Sequence, residues 1–234
     1  MMSVRSNAKS ALDAIGLLEP AKGLLEPTRK FRAKIAYQKT RRAFETSGLK
    51  KLHLGCGENL LPGWFNTDLI PRPGVAALNV TEPFPFSSNS FEELFTEHMI
   101  EHIPYTDAAS MLKECYRVLQ SGGKIRVSTP NLAFLVALFE QKSELQKRYI
   151  EWSTERFIRW APKPSSAFVI NNFVRDWGHK FIFDEPTLRD AFATAGFVDI
   201  VACPLGDIEN ENRMPDGFLQ LETLTLEARK PKAQ

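Results

Sequence analysis

An α/β fold around a mostly parallel sheet is predicted by three features of the sequence. Strand-like and helix-like segments alternate after Gly48, the first strand-like segment runs straight into the glycine turn Gly55-Cys56-Gly57, and residues 106–119 carry the apolar spacing of a helix lying on a sheet.

Taken in order, the strands are expected at 51–54, 64–67, 75–79, 91–96 and 124–128, with helices near 106–119, 131–148 and 186–195. Within 106–119, Ala109, Leu112, Tyr116 and Leu119 recur at helical spacing, and "SGG" at 121–123 is expected to end the helix on glycine. Near the far end, "GFVDIVA" and "FLQLETLTLEA" read as two strands joined by a loop rich in Glu, Asn and Asp. Leu219, Leu221, Leu224 and Leu226 obey alternation only in part, so the last strand is expected to be bulged or buried on both faces.

Residues 1 to about 48 differ in character. "GLLEP" occurs twice, at Gly16–Pro20 and Gly23–Pro27, and its prolines are expected to interrupt any long helix. From Arg29 to Arg42 a basic, weakly amphipathic helix carries Arg29, Lys30, Arg32, Lys34, Lys39, Arg41 and Arg42 among Phe31, Ile35 and Tyr37. Two readings stand for it: a solvated helix packed across the domain edge, or a peripheral contact with an anionic membrane or a protein partner.

Composition leaves several function classes without support. The chain has 234 residues, 43% hydrophobic and 25% charged, with a net charge of +2, which is an ordinary globular composition without the basic field that nucleic-acid binding favours. Cys56, Cys115 and Cys203 are widely spaced and form no CxxC pair, so neither a disulfide framework nor a zinc knuckle is expected. The longest apolar run, Leu132–Phe139, is far below the roughly 18 residues that span a bilayer. Glu19, Lys22 and Glu26 break up the N-terminal leucines, so no secretory signal is expected and the working localisation is cytoplasmic.

The glycine turn is where chemistry is expected. Ligands of such sheets sit outside the carboxyl ends of the strands, and glycine lets backbone approach them closely. A dinucleotide fingerprint would put glycine where Leu60 stands, and an acid about 20 residues further on. Here the strand-end acid is Asp68, 11 residues past Gly57, with Pro62 and Gly63 between them. That leaves no room for a crossover helix aimed at a pyrophosphate. A ligand without phosphates, held by backbone and by a carboxylate on a ribose diol, fits the spacing better.

"LHLGCGENLLPGWFNTDLIP", "FPFSSNSFEELFTEHMIEHI" and "MLKECYRVLQSGGKIRVSTPN" together resemble the class I S-adenosylmethionine-dependent methyltransferases, in a branch with an abbreviated first helix. The resemblance runs from Lys51 to Asn131 and more loosely through "HKFIFDEPTLRDAFATAGF" to "LTLEARK". It implies a doubly wound, Rossmann-like, seven-stranded sheet with an antiparallel last strand. It also implies an N-terminal helical basic arm over 1–48 and a methyltransferase domain over 49–230, with a lid insertion at about 135–183. S-adenosylmethionine is the implied cofactor. Gly55, Cys56 and Gly57 would face its methionine and ribose portions, Asp68 would hold the ribose hydroxyls, and Asn79 and Val80 would lie beside the adenine. Glu97 and His98 would close the fourth strand near the sulfonium.

Asn79 departs from the acid common at that position, though its amide can still bond the adenine edge. For proton removal from an acceptor, the candidate bases are His98, His179 and, behind them, Glu97. His179 lies in "NNFVRDWGHKF", where Asn171, Asn172, Arg175, Asp176, Trp177 and His179 gather polar and aromatic groups. The implied activity is methyl transfer to a small polar, saccharide-like acceptor, at oxygen. No acidic metal triad is evident, so a metal-independent reaction is expected.

Three other readings were weighed. The run from His98 through Glu101 to His102 matches the HxxEH pattern of a zinc peptidase family, but Pro104 leaves no long helix to carry it, and His102 is expected to be a packed or capping residue. A catalytically silent methyltransferase-like scaffold is the main alternative. A nicotinamide-dependent oxidoreductase is opposed by Leu60 and the missing crossover helix.

Overall fold

In the computed structural model, residues 18–140, 143–206, 208, 214 and 217–232 are described. Seven strands form one sheet: β1 (Lys51–Leu54), β2 (Phe65–Asp68), β3 (Ala76–Ala77), β4 (Phe91–Glu97), β5 (Leu119–Pro130), β6 (Val198–Ala202) and β7 (Thr223–Arg229). Their order is β3-β2-β1-β4-β5-β7-β6. Strands β1 to β5 pair in parallel, and β7 runs antiparallel to both β5 and β6. This is the mostly parallel sheet with an antiparallel last strand that the sequence predicts.

The core follows from helices covering that sheet. Leu52, Leu54, Leu94, Phe95, Ile125 and Val127 are fully buried, as strands enclosed on both faces require. Helix α2 (Tyr105–Val118) buries Ala108, Met111, Leu112, Cys115 and Val118 along one stripe. Helix α6 (Glu185–Ala195) is capped by Asp184, which accepts from Thr187 N–H, and ends on left-handed Gly196. Helix α1 (Leu18–Ser47) docks its C-terminal half on the β3 edge. There Thr40 is buried, its Oγ1 donating to Ala77 O at 2.6 Å, and the Phe44 ring meets Phe65, Phe86 and Phe91.

Four expectations are corrected. The prolines do not interrupt α1: Pro20 falls in the first turn, where no intrahelical N–H bond is lost, and Pro27 lies inside the helix without ending it. The helix expected at 131–148 is two, α3 (Leu132–Glu140) and α4 (Glu144–Phe157). Ser143 restarts it with a capping box, its Oγ accepting from Gln146 N–H while Gln146 reaches back to Ser143 N–H. "SGG" does not cap α2, which ends at Val118, but lies within β5. A Cβ at Gly123 would stand 2.8 Å from Glu92 O, so glycine there permits close strand approach. Finally, "FLQLE" is helix α7 (Phe218–Glu222), and only Thr223 onward is strand. Leu219 and Leu221 fall out of phase with Leu224 and Leu226 because they are helical, while Leu224, Thr225 and Leu226 are consecutively buried between two neighbouring strands.

Between β5 and α6, helices α3, α4 and α5 (Ser166–Arg175) build a second small core with α7. Phe134, Leu138, Tyr149, Ile150, Phe173 and Phe218 are its buried members.

Candidate active site

The carboxyl ends of β1, β2 and β4 meet at one edge of the sheet. Beyond β1, Gly55 and Gly57 both adopt left-handed backbone, at φ 61° and 48°. A Cβ on Gly55 would lie 2.2 Å from Met99 Cγ, so the turn after β1 presses directly against the turn after β4. Cys56 N–H donates to Thr67 O at 2.9 Å, which ties the turn to β2. The Cys56 thiol is buried and sits 3.8 Å from Arg72 Nη2. Burial pushes its pKa up against the opposing pull of Arg72, so it is no thiolate nucleophile.

Asp68, the last residue of β2, accepts from Gly57 N–H through Oδ2 at 3.0 Å and from Ile70 N–H through Oδ1 at 3.1 Å. Both oxygens are thereby fixed beside the glycine turn, and each keeps lone-pair capacity for a ligand hydroxyl. Leu78 N–H donates to Asp68 O at 2.8 Å and brings Asn79 and Val80 alongside. Asn79 Oδ1 accepts from Thr81 N–H and Oγ1–H, leaving the amide N–H₂ end to face outward chemistry. Val80 packs on the main core. The neighbouring Leu69 and Ile70 are exposed, an apolar surface next to the acid.

At the end of β4, Glu97 is buried and accepts from Asn59 Nδ2 at 3.3 Å. His98 follows with φ 48°, a left-handed conformation that is uncommon outside glycine and concentrates at functional sites. Its N–H donates to Ser128 O, its Nε2 lies 3.2 Å from Thr223 Oγ1, and its Nδ1 lies 3.5 Å from the buried Glu101 carboxylate. The ring is therefore held from two sides.

The structure thus brings Gly55, Cys56, Gly57, Asp68, Asn79, Val80, Glu97 and His98 to one end of the sheet. His179 stands apart from the glycine turn. Its ring meets His102 at 4.9 Å and Phe173 at 5.9 Å, and it approaches His98 only through Glu101, which lies between them. The HxxEH residues share no helix, because the chain from Ile100 to His102 is one 3₁₀ turn stopped before Pro104. Sequence reading missed Thr223 and Met99 as partners of the site, and treated Glu101 only as part of a peptidase pattern. Thr223 carries no local signal, being 125 residues from His98.

Residues 67–127 match the family model of the methyltransferase domain. The match runs from β2 into β5 and covers about a quarter of the chain, so it is a likeness to a methyltransferase domain. No functionally curated protein matches the sequence. Among solved structures, the chain is similar to an S-adenosylmethionine-dependent methyltransferase from Archaeoglobus fulgidus, at 14% identity, TM-score 0.48, and coverage of 84% of this chain and 94% of that one. It is also similar to a possible histamine N-methyltransferase from Thermotoga maritima, at 18% identity, TM-score 0.45, and coverage of 88% and 96%. A third is phosphoethanolamine N-methyltransferase 2 from Haemonchus contortus, at 15% identity, TM-score 0.48, and coverage of 79% and 50%. Identities this low say nothing of the acceptor.

The residues present suit S-adenosylmethionine, the cofactor that the resemblance implies. The turn at Gly55–Gly57 offers close backbone approach, Asp68 offers two aligned oxygens for a diol, and the 11-residue step between Gly57 and Asp68 provides no helix N-terminus for a pyrophosphate.

Proposed function

We propose that the chain is a methyltransferase that acts on a hydroxyl oxygen of a small polar, saccharide-like acceptor, with His98 as general base. The observation that carries the reading is the setting of His98: strained backbone at the end of β4, Nδ1 turned to the Glu101 carboxylate, Nε2 turned to the Thr223 hydroxyl. A carboxylate behind an imidazole fixes its tautomer and stabilises the imidazolium that forms when the other nitrogen takes a proton. Bound S-adenosylmethionine supplies the methyl group on a sulfonium, so the protein needs no covalent intermediate. The acceptor hydroxyl takes the place of the Thr223 hydroxyl at His98 Nε2 and loses its proton there as its oxygen bonds to the methyl carbon, and the carbon–sulfur bond breaks to leave a neutral thioether. Asp68 and the glycine turn hold the donor, and alignment contributes as much as proton removal.

Calorimetry with S-adenosylhomocysteine and with NAD, followed by turnover on a panel of hydroxylated and amine acceptors, tests this. Binding of S-adenosylhomocysteine alone and formation of a methyl ether are expected. His98→Ala should lower kcat by about 10²–10⁴-fold with S-adenosylhomocysteine affinity retained. Methylation confined to amines, or unchanged turnover in His98→Ala, would reject the reading.

A further inference from the structure

Adjoining the proposed methyl-transfer site, and sharing Glu101 with it, one group of side chains converges on a single point. One donor atom from each of Glu101, His102 and His179 lies within 4.8 Å of the other two. His102 Nε2 stands 3.9 Å from Glu101 Oε1, too far for a hydrogen bond. His179 Nδ1 is buried without a hydrogen-bond partner. Three potential ligand atoms thus converge.

We infer that Glu101, His102 and His179 form a binding site for a divalent transition ion of zinc's class, which staples the turn after β4 to the segment after α5. Three atoms within 4.8 Å of one another share a point no more than about 2.8 Å from each, and zinc bonds to histidine nitrogen and carboxylate oxygen are about 2.0–2.2 Å. Closing the difference takes about half an ångström from each side chain, within the reach of small ring rotations. Two imidazoles and one carboxylate are a donor set that suits zinc and its neighbours rather than calcium or magnesium, which prefer oxygen.

The surroundings hold both rings in place. The His102 ring lies against Gly178, where an added Cβ would stand 3.8 Å from its Nδ1, and the His179 ring packs between Phe173 and Trp177. Glu101 Oε2 accepts from the buried Thr129 hydroxyl at 3.1 Å, so Oε1 is the oxygen turned to the histidines. Burial lowers the pKa of both imidazoles, at His179 with help from nearby His102. The His102 side chain is 42% exposed, which provides an entry path and room for a water as fourth ligand. Lys180 N–H and Phe181 N–H already donate to Glu101 O, so the ion would reinforce a junction the backbone has begun.

The test uses the full chain without an affinity tag, stripped by chelator. Zinc titrated by calorimetry should bind one to one, raising the Tm, and cobalt should give the visible absorption of a tetrahedral nitrogen and oxygen site. His179→Ala and the more exposed His102→Gln should each weaken zinc binding by more than about 100-fold, beyond the loss that supporting residues cause. Circular dichroism in chelator should show both variants folded. Absence of one-to-one binding in the parent chain, undiminished affinity in both variants, or a thiolate-to-cobalt charge-transfer band assigning the metal to cysteine would each overturn the inference.

Discussion

The glycine turn between β1 and β2 and the insertion between β5 and α6 are built on opposite principles. The turn is local: Gly55, Gly57 and Asp68 lie within one short stretch, and their contacts are mostly with each other and with Thr67, Ile70 and Met99. The insertion is assembled at a distance, bringing His179 to Glu101 and His102, and Tyr149 to Glu222. A local device depends on backbone conformation and is most vulnerable to a single methyl group. A distributed one depends on side chains meeting, and each meeting can be removed by itself.

The largest expected effect breaks the local device. In Gly55→Ala the new Cβ would meet Met99 Cγ at 2.2 Å and Cβ at 2.8 Å, on backbone at φ 61°. Left-handed strain of about 1–2 kcal/mol adds to overpacking of about 1–3 kcal/mol, for a loss of roughly 2–5 kcal/mol. Gly57→Ala, with φ 48° and open space around it, should lose only the strain. Denaturant melts of the pair check this, and equal losses would mean that packing against Met99 is not what Gly55 serves.

Next in size is a pH dependence within the same stretch. His53 of β1 lies beneath the turn, its ring 5.1 Å from Phe95 and its Nδ1 hydrogen-bonded to Asn66 Oδ1, and burial pushes its pKa down to about 4. The folded value is below the ordinary 6.5, so the unfolded chain takes the proton first. The stabilisation is complete above about pH 6.5 and is lost as pH falls toward 4, at a total of about 3 kcal/mol. His102 and His179 shift in the same direction and add to the slope. Unfolding free energies at pH 7.5 and pH 5 should differ by about 2 kcal/mol, and His53→Gln should flatten the profile. A profile level down to pH 5 would refute the assignment.

These two regions also differ in how much of them the sequence disclosed. The first strands, the glycine turn and the place of Asp68 were legible because period and turn chemistry are encoded by near neighbours. Helix α7 was misread because its five residues present leucines at positions that two-residue alternation mimics, and only its packing on Tyr149 and Phe134 decides the matter. The pairing of His98 with Thr223 and the grouping of Glu101, His102 and His179 leave no periodic trace. Their separation along the chain is set by an insertion whose length sequence patterns do not constrain.

Tyr149→Phe tests the distributed side of the comparison at the smallest expected size. The Tyr149 ring is fully buried against Phe134, Trp152 and Phe218, so removing only the hydroxyl leaves the packing intact. Its OH donates to Glu222 Oε2, where Glu222 is itself buried at the end of α7, just before the strand that brings Thr223 to His98. Losing a hydrogen bond to a buried carboxylate costs about 1.5–3 kcal/mol, and we expect about 2 kcal/mol in a denaturant melt. If the insertion and the sheet edge are joined through this contact, turnover should fall as well, because α7 sets the position of Thr223 against His98. S-adenosylhomocysteine affinity should hold, since Gly55, Gly57 and Asp68 take no support from α7. Loss of cofactor affinity together with stability would show instead that the two regions are one cooperative unit.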